Sequence, residues 1–274
     1  MSAALPPVMI TVAPTGARVS KRDNPATPFT PKEIAADVAA CAAAGASIAH
    51  IHARDAQGRP TQSVAVFREI VERIRAKTDI VLQLSLGTRG FTVEQALEPI
   101  SLAAEMASLP LAAFEKDDAP LQRQIIDMAE RIKAHRVRPE MSVYNEAMLA
   151  GAMKIIGAGA AQAPYCFGLI AGVPDTMACG AKAVVRLAEK FPPGTNWWLA
   201  KGGRYQLGLR ALAIELGGHV RVGFEDSPLD FRGQGPAKCN AALVEQIASL
   251  CAALGRQVAT PAQVRSYLSL RDTR

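Results

Sequence analysis

Short apolar runs alternate along the chain with longer stretches whose apolar positions recur every three to four residues. The runs fall at residues 8–13, 46–53, 80–86, 105–109, 140–143, 165–170, 197–200 and 219–224. Gly, Pro, Asn or Asp bound them, the pattern of strands buried on both faces of a parallel sheet. The helical stretches between them are clearest at 64–76, 121–135, 177–190 and 241–254. The strongest start signal belongs to an earlier helix. There Thr30 can cap, Pro31 suits the first helical position, and Glu33 completes a capping box. Ile34, Val38, Cys41 and Ala42 then form one apolar face, and Gly45 ends the helix. Thr260-Pro261 opens a final helix in the same way.

Strand then helix, eight times in 274 residues, predicts an α/β protein built as one (β/α)8 TIM barrel. A doubly wound open sheet is the second possibility. With no internal repeat and no break in composition, one catalytic domain is expected over 1–274. In such a barrel the chemistry gathers at the C-terminal ends of the strands, which sets where to search.

Composition narrows the picture. Hydrophobic residues at 49% and charged residues at 20% exclude a disordered tail, a collagen-like repeat and a small disulfide scaffold. The longest apolar stretch, around 39–49, is Ala-rich and shorter than the roughly 20 residues a membrane span needs. The opening MSAALPPVMI lacks a basic segment, so no signal peptide is expected. The net charge of +6 is scattered, as in Arg68, Arg73, Arg75 and Lys77, and aromatics are only 5%. That is a solvated basic surface rather than a nucleic-acid face, and it remains compatible with anionic substrates. Five cysteines, an odd number without a CxxC pair, suit reduced thiols in a cytoplasmic protein.

The sharpest chemical signal is Ala49-His50-Ile51-His52-Ala53-Arg54-Asp55. Residues i and i+2 of a strand share a face, so both imidazoles can converge on one metal ion. Two core histidines bonded to backbone are the alternative. Nitrogen donors with an oxygen partner favour zinc, with iron or manganese possible. A catalytic zinc wants a third protein ligand and an open position. Glu225 and Asp226 end the eighth strand, and even-numbered strands feed one interior layer, so Glu225 could reach the histidines. Asp226 would then be free to move protons. Otherwise the two acids merely begin a loop. His219, at the start of the same strand, and His135, at a helix end, read as structural. Arg221 points into the barrel and needs an anionic partner, either a substrate carboxylate or a nearby acid.

Other strand ends offer weaker candidates. Ser85, with Gly87 allowing close backbone approach, and Ser108 supply hydroxyls, and Glu140 is an acid early in its strand. Lys201-Gly202-Gly203-Arg204 follows the seventh strand, where barrels often bind phosphate, so Gly203 and Arg204 are candidate anion contacts; a plain turn is the alternative. Gly157-Ala158-Gly159 follows a helix and lacks a third glycine, so it is no dinucleotide loop.

These motifs resemble the β-keto acid cleavage enzymes. The likeness is carried by Ile10-Thr11-Val12-Ala13-Pro14-Thr15-Gly16-Ala17, by Thr30-Pro31-Lys32-Glu33-Ile34, and by Ala44-Gly45-Ala46 through Asp55. It continues in Glu105-Met106-Ala107-Ser108-Leu109, in Gly217 through Asp226, and in Asn240 with Leu243-Val244. The resemblance implies a (β/α)8 barrel holding zinc through His50, His52 and Glu225. It implies exchange between a β-keto acid and acetyl-CoA, giving acetoacetate and a new acyl-CoA. Arg221 would hold the keto acid's carboxylate and Asp226, paired with it, would be the base. Ser85, Gly87 and Ser108 match positions that line the substrate pocket. Taken with the strand-end candidates, Ser85 is expected to be catalytic beside Arg221 and Asp226, Glu140 to contact substrate, and Gly203 and Arg204 to bind acetyl-CoA. The family also suggests a homotetramer. Some positions depart from the pattern. Arg18 stands where an enzyme for an amino-bearing keto acid carries an acid, Pro110 replaces an asparagine, and Asn145 replaces an acid. These point to a different β-keto acid, with Arg18 facing its distal group.

Two rival functions use the same features. An amidohydrolase-like zinc hydrolase also carries HxH, but on its first strand, with further histidines on the fifth and sixth. A non-enzymatic barrel that binds a metal and a small molecule is the other.

Overall fold

The structure, a computed structural model, describes residues 5–87, 89–116, 118–172, 180–203, 207–271 and 273. Eight strands form the barrel: β1 (Ile10–Val12), β2 (Ile48–Ile51), β3 (Val81–Ser85), β4 (Met106–Pro110), β5 (Arg138–Val143), β6 (Cys166–Ala171), β7 (Asn196–Lys201) and β8 (His219–Val222). Each pairs in parallel with its neighbours, and β1 pairs with both β2 and β8, which closes the sheet. Closure excludes the open doubly wound sheet. Helices α1 (Pro31–Ala43), α2 (Val64–Arg75), α3 (Val93–Leu97), α4 (Ala112–Glu115), α5 (Ala119–Ala134), α6 (Glu146–Gly157), α7 (Ala181–Ala188), α8 (Leu207–Glu215), α9 (Asn240–Ala253) and α10 (Pro261–Tyr267) alternate with them. A short 3-10 helix at Glu98–Ser101 and an antiparallel pair outside the barrel, Ala53–Arg54 with Pro60–Thr61, complete the described elements, so Ala53 leaves the second strand in which the sequence placed it.

Local chemistry explains the boundaries. Thr30 and Glu33 form the expected capping box, and Ile34, Ala35, Val38 and Cys41 are the buried face of α1. Asn145, extended and accepting a hydrogen bond from the Met148 N–H, starts α6. Strand β5 begins at Arg138, earlier than its apolar run suggests, because a proline at the second position is tolerated at a strand start. The helix expected over 177–190 covers Ala181–Ala188; residues 173–179 lie outside the described residues.

Two apolar layers hold the barrel. One lies between strands and helices. The other fills the interior near the strand starts, where Met9, Ile48, Val81, Met106, Cys166 and Trp198 meet Val264 of α10 and Leu268, which caps its end. His219 belongs to this floor. Its Nδ1 accepts a hydrogen bond from the Met9 N–H at 3.2 Å, its ring lies 5.0 Å from Trp198, and burial pushes its pKa down to about 3. It is a neutral structural histidine, as its position predicts, and His135 caps the end of α5. Beneath the floor Glu105, fully buried, accepts from Arg75, Arg265 and the Leu82 N–H.

Candidate metal centre at the barrel mouth

His50 is the third residue of β2, and His52 follows with the same facing. Beyond β8 the chain turns at Gly223, whose φ of 140° and lack of a side chain are both required: a Cβ there would lie 2.2 Å from Ala13 O. The Asp226 and Ser227 N–H groups donate back to Gly223 O, and the Glu225 N–H donates to Ala13 O at 3.2 Å. This turn returns Glu225 to the histidines. Its Oε1 is 3.6 Å from His50 Nε2 and its Oε2 is 3.4 Å from His52 Nε2. The rings stand 5.1 Å apart at 68°. One ligand atom from each residue falls within 4.8 Å of the others, so the three can share one ion. Gly16 makes room, since a Cβ there would sit 2.6 Å from Glu225 Cγ.

The donor set fits a divalent metal. Glu225 Oε2 is buried and makes no hydrogen bond, its neighbouring imidazole being His52 at 3.4 Å. Burial pushes the His50 pKa down to about 3, so this ring is neutral and keeps a lone pair. Burial would raise the Glu225 carboxyl, but His52, Arg221 and His50 outweigh it and hold it well below the usual carboxylate range. Two imidazole nitrogens and one carboxylate would supply the three protein donors of a catalytic zinc site.

Arg221, on β8, finds its partner inside the protein. Nε donates to Asp226 Oδ2 at 3.1 Å and Nη2 to Asp226 Oδ1 at 2.5 Å, a two-bond grip. Nη2 also donates to Glu225 Oε1 at 3.1 Å. Burial would lower the Arg221 pKa, but Asp226 and Glu225 raise it further still. Glu225 and Asp226 are therefore one ionic cluster, not the start of an idle loop.

Ser85 and Ser108 are register partners on β3 and β4, and the Ser108 hydroxyl accepts from the Leu86 N–H at 3.3 Å. Gln62 Nε2 donates to the carbonyls of Ser85 and Gly87 at 3.4 and 3.3 Å. Glu140 is the register partner of Ser108 but bonds elsewhere: its Oε2 accepts from Gln83 Nε2 at 3.0 Å. Burial raises its pKa, with Arg221 opposing. Arg18 is exposed and lies beyond the C-terminal end of β1; burial raises the Tyr144 hydroxyl pKa, with the charges of Arg221 and Arg18 opposing. Gly203 follows β7, and Lys201 Nζ donates to Gly202 O at 2.8 Å. Arg204 lies outside the described residues.

Three supporting residues carry no role in the sequence reading. Gln83 Oε1 lies 2.6 Å from His50 Nδ1. Arg54 Nη2 donates to Gly16 O and Val19 O, both at 2.7 Å, and its guanidinium stacks on Phe29 at 4.5 Å. It thus fixes the loop that touches Glu225. Asn240 accepts from the Phe224 N–H at 2.9 Å and donates to Pro14 O at 3.2 Å, joining the loops that follow β8 and β1. A glutamine inside an otherwise apolar strand, two residues before Ser85, was the available signal for Gln83.

Comparison with known proteins agrees with this geometry. Residues 7–270 match the family model described as beta-keto acid cleavage enzyme. A 3-keto-5-aminohexanoate cleavage enzyme from Fusobacterium nucleatum subsp. nucleatum is 38% identical over 96% of this chain and 98% of its own. A 3-oxoadipate:acetyl-CoA acetyltransferase from Cupriavidus necator is 33% identical over 96% of this chain and 95% of its own. Among solved structures, the ternary complex of ObcA with C4-CoA adduct and oxalate superposes with a TM-score of 0.73 at 21% identity, covering 90% of this chain and 68% of that one. That last likeness concerns the fold.

Proposed function

This chain belongs to the β-keto acid cleavage enzyme family, and from that premise we propose that it exchanges acyl groups between a β-keto acid and acetyl-CoA at a zinc centre held by His50, His52 and Glu225. The observation that carries the reading is the His–His–Glu cluster in contact with the Arg221–Asp226 pair at the mouth of the barrel. In the net reaction the –CH2–COO⁻ unit of the keto acid passes to the acetyl carbon, and the CoA thiolate passes the other way. The products are acetoacetate and a new acyl-CoA. Relatives named for acetyl-CoA transfer and keto acid cleavage support that class.

A zinc ion in this site supplies Lewis acidity to a carbonyl oxygen. The remaining steps belong to the chain. The bonds of Arg221 to Asp226 and Glu225 use Nε and Nη2, which leaves Nη1 for the substrate carboxylate. Asp226 takes a proton from the carbon between carbonyl and carboxylate, and Arg221 holds it in place to do so. Ser85, Gly87 and Ser108 line the pocket, and Arg18 meets the distal group of the keto acid. Gly203 and Arg204 take the acetyl-CoA side. Glu140, bonded to Gln83, supports the site from behind. The histidines an amidohydrolase would place on its fifth and sixth strands are not found on β5 or β6.

In this reading residues 1–274 act as one catalytic domain. The enzyme works in the cytoplasm, where acetyl-CoA is available and the free thiols of Cys41, Cys166, Cys239 and Cys251 stay reduced, and it assembles as a homotetramer, which gel filtration checks. The decisive experiment is a panel of β-keto acids with acetyl-CoA, following acetoacetate. Zinc-loaded enzyme that yields acetoacetate from none of them refutes the proposal.

A further inference from the structure

We infer that Gln83 is a positioning residue for the metal: its side-chain amide, oriented by Glu140, holds His50 in the tautomer that presents Nε2 to the ion. The inference deepens the zinc reading above and rests on it for the identity of the metal.

Gln83 sits in the middle of β3, in the run VLQLS, and is fully buried. A buried amide without partners is costly, so both of its polar ends must be answered. They are answered on opposite sides. Oε1 meets His50 Nδ1 at 2.6 Å, and Nε2 donates to Glu140 Oε2 at 3.0 Å. His50 and Gln83 are register partners across β2 and β3, so the backbone ladder itself sets their approach. Gly168 on β6 leaves space for the acid: a Cβ there would lie 2.6 Å from Glu140 Oε1.

The direction of the chain of bonds follows from donor and acceptor identity. A carboxylate only accepts, so the NH2 end of Gln83 faces Glu140 and its oxygen faces His50. That oxygen also only accepts, so the proton of His50 resides on Nδ1. The lone pair is then on Nε2, the atom that faces Glu225. A leucine at position 83 would fill similar space yet leave the imidazole free to take either tautomer. Partners of this kind are worth about 10–100-fold in metal affinity.

The test measures zinc dissociation constants by chelator competition for the wild type, Gln83→Leu, Gln83→Glu and Glu140→Gln. Nitrogen-15 spectra of histidine-labelled, metal-free protein report the His50 tautomer. We expect Gln83→Leu to bind zinc about 10–100-fold more weakly. Gln83→Glu keeps an acceptor for Nδ1, sharing one proton with Glu140, and should stay within about threefold of wild type. Glu140→Gln, which removes the group that orients the amide, should fall between. The wild-type spectrum should show the proton on Nδ1, and Gln83→Leu should show a mixture. Wild-type affinity in Gln83→Leu, equal losses in Gln83→Leu and Gln83→Glu, or a wild-type proton on Nε2 would each overturn the inference. Should Gln83→Leu not fold, the wild-type spectrum and Gln83→Glu still decide. Because the spectra need neither metal nor turnover, their outcome stands apart from the keto acid panel.

Discussion

Buried charge gathers at both ends of this barrel, and the two clusters are wired differently. At the floor, Glu105 has both oxygens occupied: Oε1 by Arg265 at 2.8 Å, and Oε2 by Arg75 at 2.6 Å and the Leu82 N–H at 2.9 Å. Arg265 also reaches Asp79 at 3.2 Å. At the mouth, Glu225 has one oxygen bonded to Arg221, while the other is buried against His52 without a hydrogen bond. Each cluster contains arginine and carboxylate out of water. The floor carboxylate is answered on both oxygens from within the protein, so its role is structural. The mouth is complete only with something added, and an incomplete buried charge cluster in a cleft marks a site.

The largest effect that would break this contrast is at the mouth. His50→Ala or His52→Ala should lose zinc and lower kcat by at least about a thousandfold, some 4 kcal/mol. The metal-free proteins should still melt cooperatively. Metal analysis and thermal unfolding check both halves, and full zinc occupancy in both variants would remove the ligand assignment.

Glu105→Ala should do the reverse. It strands one buried and one half-buried arginine, Arg265 and Arg75, and should cost about 3–5 kcal/mol of stability in urea unfolding. The folded fraction should still bind zinc in wild-type stoichiometry. A variant with wild-type stability would show that the floor cluster holds nothing together.

Arg221→Lys and Asp226→Asn sharpen the contrast within the mouth, separating metal from acid–base chemistry. Each should retain zinc and lose about a hundredfold in kcat/KM, since lysine lacks the planar grip and an amide cannot take a proton. Wild-type rates in Asp226→Asn would exclude it as the base.

The smallest effect is at the rim. Arg18 disfavours an ammonium on the substrate, so neutral or dicarboxylic β-keto acids should outperform amino-bearing ones. Two charges about 4 Å apart interact by up to ~4 kcal/mol at an effective dielectric of 20, but solvent around an exposed arginine reduces this to about 1 kcal/mol. Arg18→Glu should therefore shift the ranking by roughly tenfold or less. An unmodified enzyme that prefers 3-keto-5-aminohexanoate would refute the charge argument.

Much of this was legible because it is local. All eight strands lie within or beside their apolar runs, the Thr30 capping box forms as written, and the i, i+2 spacing puts His50 and His52 on one face. Glu225 could be placed because strand parity links β2 and β8. The floor cluster was not legible. Glu105 and Arg265 are 160 residues apart and neither stands in a motif, so only the closed barrel brings them together. Gln83 was hidden for another reason: a single amide in an apolar strand has no meaning until its register partner proves to be one of three side chains able to share a metal ion. Glu140 was seen as an acid needing a bond, but the bond turned out to be to Gln83.

The separation of Glu105 from Arg265 also imposes an order on biosynthesis. At roughly 5–20 residues per second, a ribosome needs about ten to thirty seconds to make the 160 residues between them. Throughout that time the Glu105 carboxylate lacks one of its two arginines, and for most of it β1 lacks β8, the strand that closes the sheet. Glu225 is also still unmade for most of it. The nascent chain can therefore form neither the sealed floor nor the three-residue cluster, and an ion held by all three would be captured only after synthesis of β8 rather than as the histidines emerge. An early-emerging HxH segment would thereby be kept from holding an ion tightly before the barrel exists.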